Sequence, residues 1–200
     1  HRLDALTPIV NSLQLDNFYY LYDTDVYEIA DCCFAVQSVF DPPEKYIKAD
    51  QIPNNKIKIA LHHGPVTSAR TDVGYELQGD LSVEDFKGFD YVMLGDIHKH
   101  QYLDRKKRIA YASSLVCQNF GEHPTNHGWI LWDLETKKSE FRKVQNDNAY
   151  YTLMVNNGVA ENYDEMPKQP RLRIKAANSS QADIKKVLAD LKRDRKITDV

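Results

Sequence analysis

Short apolar runs separated by polar, turn-forming stretches dominate the first 150 residues of the chain. The strongest runs are in FDYVMLGDIHKHQYL at 89–103 and in KIKIALHHGPV at 56–66. A continuous apolar run of roughly 4–8 residues between turn signals is typical of a buried strand. Further strands are predicted within 17–40, 108–120, 128–144, 150–155 and 171–176. A sheet-based fold follows, with loops at 41–55 and 67–80.

Apolar residues at helical intervals occur near both ends of the chain. In the first helix these are Leu3, Leu6, Val10 and Leu13, with Pro8 either kinking the helix or opening its second part. In the last predicted helix the apolar residues are Ala182, Ile184, Val187, Leu188 and Leu191, and Ser180 and Asp183 are the predicted cap pair. Ser82 is predicted to cap a short helix that runs through Phe86, with Asp85 in the capping-box position. Because the character of the sequence shifts near residue 150, we expect units at 1–150 and 151–200.

The composition is that of an ordinary globular chain. Its 200 residues suit one domain, or one domain with the beginning of a second, and 42% hydrophobic residues suffice for a core. The net charge of −3 does not indicate a basic nucleic-acid surface and leaves a local basic groove open. We expect neither a membrane span nor a signal peptide. Three cysteines, Cys32, Cys33 and Cys117, are expected to be reduced thiols in a reducing compartment.

Histidines and a carboxylate follow the two strongest apolar runs. His62 and His63 close the first run, while Asp96 and His98 follow the second. Ligand-binding groups gather where strands give way to loops, because the strands fix their positions. Imidazole and carboxylate together suit a divalent cation such as Mn²⁺, Fe²⁺ or Zn²⁺. A histidine pair alone is more often structural, so the predicted metal site depends on both strand ends.

Other chemistry is less well supported by the residue pattern. Cys117, His123 and His127 lack the second nearby cysteine that a zinc finger requires. The apolar flank of Cys117 favours an inert thiol over a nucleophile. The basic runs at 104–108 and 191–196 are interpreted as a solvated turn and a polar helix face.

Three segments carry a family resemblance: LGDIHKHQYL, YASSLVCQNFGE and HGWILWDL. They resemble the calcineurin-like metallophosphoesterases, in particular the SbcD-type (meiotic-recombination-eleven-type) DNA-repair nucleases of phages and large viruses. That family has a late GHxH motif, a YPGS…QQNFGE…HG segment and an earlier HG or HQG at a strand end. The resemblance implies an α/β fold: the C-terminal part of a metallophosphoesterase β-sandwich flanked by helices at 1–150, and the start of a small α+β capping, DNA-binding domain at 151–200.

The resemblance also implies a ligand set. His63 matches the histidine of the HG motif, and His62 is the fallback. Asp96 stands where GHxH has its first histidine, and His98 matches the second. The implied metal ligands are therefore His63, Asp96 and His98, with His63 and His98 also catalytic. Aspartate is a competent oxygen ligand for Mn²⁺, so the departure at Asp96 alters the site without removing it.

The family's earlier motifs, DxH, GD and GNHD, precede the region that matches 2–5 of this chain. We therefore expect an internal fragment that has no nuclease activity alone, and two Mn²⁺ (or Mg²⁺ or Fe²⁺) in the full-length parent. Two metals about 3.5–4 Å apart activate a water and clamp the attacking and leaving oxygens of a phosphodiester.

The implied function is that of a DNA exonuclease or endonuclease in double-strand-break repair or recombination. The implied partners are DNA, an SbcC-type coiled-coil ATPase and a second copy of the chain, without membrane attachment, in the cytoplasm of a cell or of a virus-infected cell. Two alternatives stay open. One is a phosphatase or phosphodiesterase on small nucleotides, which a capping region after residue 150 disfavours. The other is a non-catalytic module that binds DNA or an ATPase, which the change at Asp96 would fit.

Overall fold

The computed structural model describes residues 4–16, 18–194 and 197 of the chain. Some predicted features lie outside these residues. They are Leu3 of the first helix, Asn17 at the start of the strand region 17–40, the last two positions of the basic run at 191–196, and the first two positions of the motif-matching region at 2–5. Within the described residues, none of the helices combines the length and the apolar character that crossing a bilayer requires.

Six strands form the main sheet, in the order β1-β2-β3-β4-β6-β5. Their bounds are β1 Asp25–Ile29, β2 Cys32–Gln37, β3 Ile57–His63, β4 Tyr91–Gly95, β5 Gln101–Tyr102 and β6 Ile109–Tyr111. The four central strands are parallel, and β1 and β5 are antiparallel edges. The carboxyl ends of β3 and β4 therefore lie side by side, with His63 paired to Gly95.

One face of this sheet packs on loops that contain three short 3₁₀ helices, Pro43–Lys45, Ala49–Gln51 and Val83–Phe86. Buried residues from both layers form one cluster: Tyr46, Ala60, Val66, Ala69, Leu81, Phe86, Val92, Leu94 and Tyr111. The resemblance predicts α-helices that flank the sheet. Among the described residues, loops and 3₁₀ helices form the layer on this face, so that prediction is wrong here. The covering segments 41–55 and 64–86 are rich in Pro, Gly, Asp and Thr, which favour turns over an uninterrupted helix.

The other face of the sheet meets a β-hairpin formed by β7, Gly128–Asp133, and β8, Lys138–Lys143. Trp132 packs edge-on against Tyr91, with ring centroids 5.5 Å apart. The predicted pair of strands within 128–144 is confirmed. The structure is thus a mixed α/β fold built mainly from strands.

The last part of the chain has a small sheet and a core of its own. It contains β9 Tyr150–Asn156, β10 Val159–Ala160, β11 Arg171–Ala177 and the second helix, Gln181–Asp194. β9 and β11 are parallel, and the helix places Leu191 in a cluster with Leu153 and Leu172. The predicted cap is confirmed, since the Ser180 backbone N–H and hydroxyl both donate to Asp183, at 2.8 and 2.7 Å.

The short helices near residues 7 and 83 also follow the sequence pattern. The first helix, α1, spans Thr7–Leu13 and has Pro8 in its first turn, so Pro8 opens the helix and does not kink it. The predicted pair Ser82 and Asp85 is confirmed as a capping box.

The strand prediction for 108–120 is wrong beyond Tyr111. From 112 to 127 the backbone is irregular and is held by polar side chains. The Ser114 hydroxyl donates to the Val116 carbonyl at 2.8 Å, and Asn119 Oδ1 accepts the Gly121 N–H at 2.7 Å. Serine and asparagine compete with strand pairing through such local hydrogen bonds.

Tyr111 fixes the turn that follows His63. Its fully buried hydroxyl donates to the Gly64 carbonyl at 2.7 Å and accepts the Val66 N–H at 2.9 Å. Burial raises the pKa of Tyr111 to about 12. The phenol therefore stays protonated at neutral pH and keeps both hydrogen bonds.

Replacing Tyr111 with phenylalanine is expected to lower the free energy of unfolding by about 1–3 kcal/mol, because the buried Val66 N–H and the part-buried Gly64 carbonyl lose their partner. Urea unfolding followed by circular dichroism measures this loss. Tyr75→Phe is the matched control, since Tyr75 is 68% exposed. Equal midpoints for the two variants would show that Tyr111 does not hold this turn.

Candidate metal centre

His63 and Asp96 meet at the carboxyl ends of β3 and β4. Both side chains are exposed, and His63 Nε2 lies 4.0 Å from Asp96 Oδ1. A cation about 2.1 Å from each atom fits between them. The parallel pairing of the two strands produces this proximity, because His63 is opposite Gly95 and Asp96 is the next residue.

Gly95 leaves space for the His63 imidazole. A Cβ atom at position 95 would lie 2.7 Å from His63 Nδ1. A side chain at this position would displace the imidazole. Gly95 therefore allows His63 to take its position beside Asp96.

The backbone at Asp96 is in an unusual conformation, with φ of 90°. Positive φ is uncommon for residues with a side chain, and Asn, Asp and His are the types enriched there. The conformation turns the chain sharply as it leaves β4. Both histidine, which the GHxH pattern has here, and aspartate, which this chain has, are therefore residue types that tolerate this backbone conformation.

His62 lies on the opposite side of β3 from His63. It is 9% exposed and contacts the rings of Tyr46 and Phe86. Burial, and secondarily the neighbouring His63, lowers the pKa of His62, so its imidazole is neutral at pH 7. The structure places His62 in the core and His63 beside Asp96.

His98 contacts a carboxylate that the residue pattern had not singled out. His98 Nδ1 lies 2.9 Å from Glu122 Oε1, and the Glu122 side chain is only 6% exposed. Glu122 also accepts the Gln118 N–H and the Asn119 side-chain amide, at 2.9 and 2.6 Å. A carboxylate held in this way fixes the orientation of the imidazole and leaves Nε2 available as a ligand.

Asp96, His98 and Glu122 line one cavity of about 300 Å³ together with Asp72 and Lys99. Three carboxylates face one ammonium group there, so the cavity has a negative balance that favours cations. Burial raises the pKa of Asp72, while Lys99 acts in the opposite direction.

The structure brings the sequence-predicted residues together in part. His63 and Asp96 form a pair, and Asp96 shares the cavity with His98. Among the described residues, these three do not form a group whose ligand atoms all lie within 4.8 Å of one another. Asp72 and Glu122 were missed. Glu122 ends the QNFGE segment that carries the resemblance, whereas Asp72 lies in a polar loop without any motif.

Comparison with known proteins gives two similar sequences. The chain is 39% identical over 211 aligned residues to an uncharacterized protein of Acanthamoeba polyphaga mimivirus, an alignment that covers 100% of this chain and 15% of that protein. It is 26% identical over 95 residues to the SbcD component of the SbcCD nuclease of Staphylococcus epidermidis, covering 45% of this chain and 25% of that component. No family model matches the chain. The chain thus spans a quarter or less of the length of these relatives, and it has a distant, partial similarity to one component of a nuclease.

Proposed function

We propose that this chain contributes part of the metal centre of a nuclease that hydrolyses DNA phosphodiesters with two Mn²⁺ ions, for which Mg²⁺ or Fe²⁺ are the alternatives. The observation that carries the proposal is the His63–Asp96 pair, 4.0 Å apart at adjacent strand ends. The similarity to the SbcD component of a nuclease supports the reaction class.

In this proposal each residue has a distinct role. His63 Nε2, Asp96 Oδ1 and His98 Nε2 hold cations, and Glu122 positions His98. When bound, the two cations supply an activated water and stabilise the charge on the phosphodiester oxygens. Asp96 adds a negative charge that neutral imidazole lacks, which favours the oxygen-preferring Mn²⁺ and Mg²⁺ over Zn²⁺. Because three ligands are too few for two cations, other residues complete the centre.

The proposal includes DNA and an SbcC-type coiled-coil ATPase as partners. A basic stripe supports the first of these. Arg171, Arg173 and Lys175 are all exposed on β11. The Arg171 and Arg173 guanidinium groups lie 5.0 and 4.4 Å from the ring centroids of Tyr150 and Phe120. Arginine and lysine on one face suit phosphate contacts, and the stripe lies in the proposed capping domain, 151–200.

The decisive experiment uses the complete protein that the gene encodes, purified and freed of metal. Labelled duplex and single-stranded DNA are incubated with Mn²⁺, with Mg²⁺ or with chelator, alongside mononucleotides and nucleoside phosphate esters. We expect cleavage of DNA that requires Mn²⁺. Hydrolysis of the small substrates alone would favour a phosphatase, and DNA binding without any cleavage would favour a non-catalytic module.

A further inference from the structure

The irregular segment 112–127 brings Cys117, Glu122 and His127 together. One ligand atom from each, the thiol sulfur, a carboxylate oxygen and a ring nitrogen, all lie within 4.8 Å of one another. Cys117 and His127 are buried, and the Glu122 side chain is nearly so. Among the described residues this is the one group of three such side chains that meets this distance.

The hydrogen bonds around His127 determine which ring nitrogen carries the proton. His127 Nδ1 lies 3.0 Å from the Ser114 hydroxyl oxygen and 3.2 Å from the Ser114 carbonyl. The single hydroxyl proton of Ser114 is donated to the Val116 carbonyl at 2.8 Å, and a carbonyl can only accept. The proton is therefore on Nδ1 of His127, and in the neutral ring Nε2 has a free lone pair.

His127 Nε2 has no hydrogen-bond partner, although His127 is only 1% exposed. It faces Glu122 Oε2 at 3.8 Å, which is beyond hydrogen-bond distance. An imidazole lone pair directed at a carboxylate is unfavourable unless a proton or a metal cation lies between them, and at 3.8 Å the gap is too long for a hydrogen bond and suits a cation. Buried polar atoms without a partner are rare and costly, so this atom requires a physical explanation.

The Cys117 sulfur is the third ligand atom of this group and is softer than the other two. Its sulfur lies 3.5 Å from the Asn119 carbonyl and 3.9 Å from the Tyr150 carbonyl, positions that suit a thiol proton in the absence of metal. On metal binding the S–H bond breaks, a sulfur–metal bond forms, and the proton is released to solvent. No oxidant or reductant is involved.

We propose that Cys117, Glu122 and His127 bind one Zn²⁺ ion through thiolate, carboxylate and imidazole, with water as the fourth ligand. Zinc takes these three donors at about 2.3, 2.0–2.2 and 2.0–2.1 Å, so tetrahedral ligand atoms lie roughly 3.3–3.7 Å apart. The separation of 3.8 Å between Glu122 and His127 is already close to this value. The ion would cross-link a segment that has no regular secondary structure, and Glu122 would connect it to His98 through its other oxygen.

This site shares Glu122 with the proposed nuclease centre, where Glu122 positions His98, but it has its own ligand atoms and a separate spectroscopic signature. The reduced, metal-free 200-residue chain is titrated with Co²⁺, and absorption is recorded in the near ultraviolet. We expect one equivalent to give a thiolate-to-cobalt charge-transfer band that Zn²⁺ abolishes by displacement. A cation held by His63 and Asp96 gives no such band, so the two sites are distinguished in one titration.

Variants assign the band without requiring that a Cys117 variant folds. The chain has three cysteines, so a Cys32→Ser/Cys33→Ala double variant leaves Cys117 as the one remaining thiol, and we expect the band to persist. His127→Gln should weaken Co²⁺ binding at this site at least about tenfold, because losing even a residue that only hydrogen-bonds to a metal ligand typically costs about 10–100-fold in affinity. His123→Gln, at an exposed histidine of the same segment, should not weaken it. A reduced wild-type chain without the band, a double variant that loses it, or His127→Gln binding that equals wild type would each overturn the proposal.

Discussion

His63→Gln is expected to lower Mn²⁺-dependent DNA cleavage by the complete protein about a thousandfold. A metal that stabilises transition-state charge contributes several kcal/mol, and each 1.36 kcal/mol corresponds to a factor of ten in rate. Glutamine is polar and nearly as long as histidine, but it cannot replace the Nε2 lone pair that faces Asp96 at 4.0 Å. The effect should therefore come from lost metal and not from lost packing.

The stability of the variant separates these two explanations. The His63 side chain is 67% exposed, so its replacement should change the free energy of unfolding by no more than about 0.5 kcal/mol. His123→Gln is the matched control, an exposed histidine that we expect to retain wild-type activity. If His63→Gln cleaves DNA as fast as wild type under limiting Mn²⁺, His63 is not a ligand. If His62→Gln alone abolishes Mn²⁺ binding in a folded protein, the fallback residue is correct.

The strands of the main sheet could be predicted because their signal is local. The apolar runs at 56–66 and 89–94 correspond to β3 and β4, and the polar residues after them mark where each strand ends. The choice between His62 and His63 could not be made from the same signal. Successive side chains on a strand face opposite sides, and a central strand is apolar on both, so its sequence does not mark which side is covered.

Segment 112–127 escaped prediction for a different reason. Its apolar residues Leu115, Val116 and Cys117 favour a strand, but in the structure Leu115 and Val116 are 56% and 58% exposed. Side-chain hydrogen bonds from Ser114, Asn119 and Glu122 decide the backbone path here. Glu122 reaches His98 across 24 residues of sequence. Contacts of that range depend on how β4 and the loop are placed in space, which residue patterns do not encode.

Asp96, the residue after β4, departs from the GHxH pattern that this segment resembles, and it gives the second large expected effect. Asp96→Asn should lower Mn²⁺ affinity at least about a hundredfold, because the charge attraction between a carboxylate and a nearby divalent cation amounts to several kcal/mol even at an effective dielectric constant near 20. Asp96→His should shift the preference from Mn²⁺ toward Zn²⁺ and keep some activity, since imidazole suits zinc.

The backbone at Asp96 determines which replacements are informative. With φ of 90°, alanine would add backbone strain, whereas asparagine and histidine belong to the residue types that tolerate positive φ. Calorimetric titration of the metal-free protein with Mn²⁺ and Zn²⁺ gives both affinities. Asp164→Asn, at an exposed carboxylate in the last part of the chain, controls for the loss of one charge and should leave them unchanged. Should Asp96→Asn and Asp96→His both keep the wild-type affinity and preference, Asp96 does not ligate the metal. Its 4.0 Å approach to His63 would then serve to orient that imidazole, and the correspondence with GHxH would hold at His98 alone.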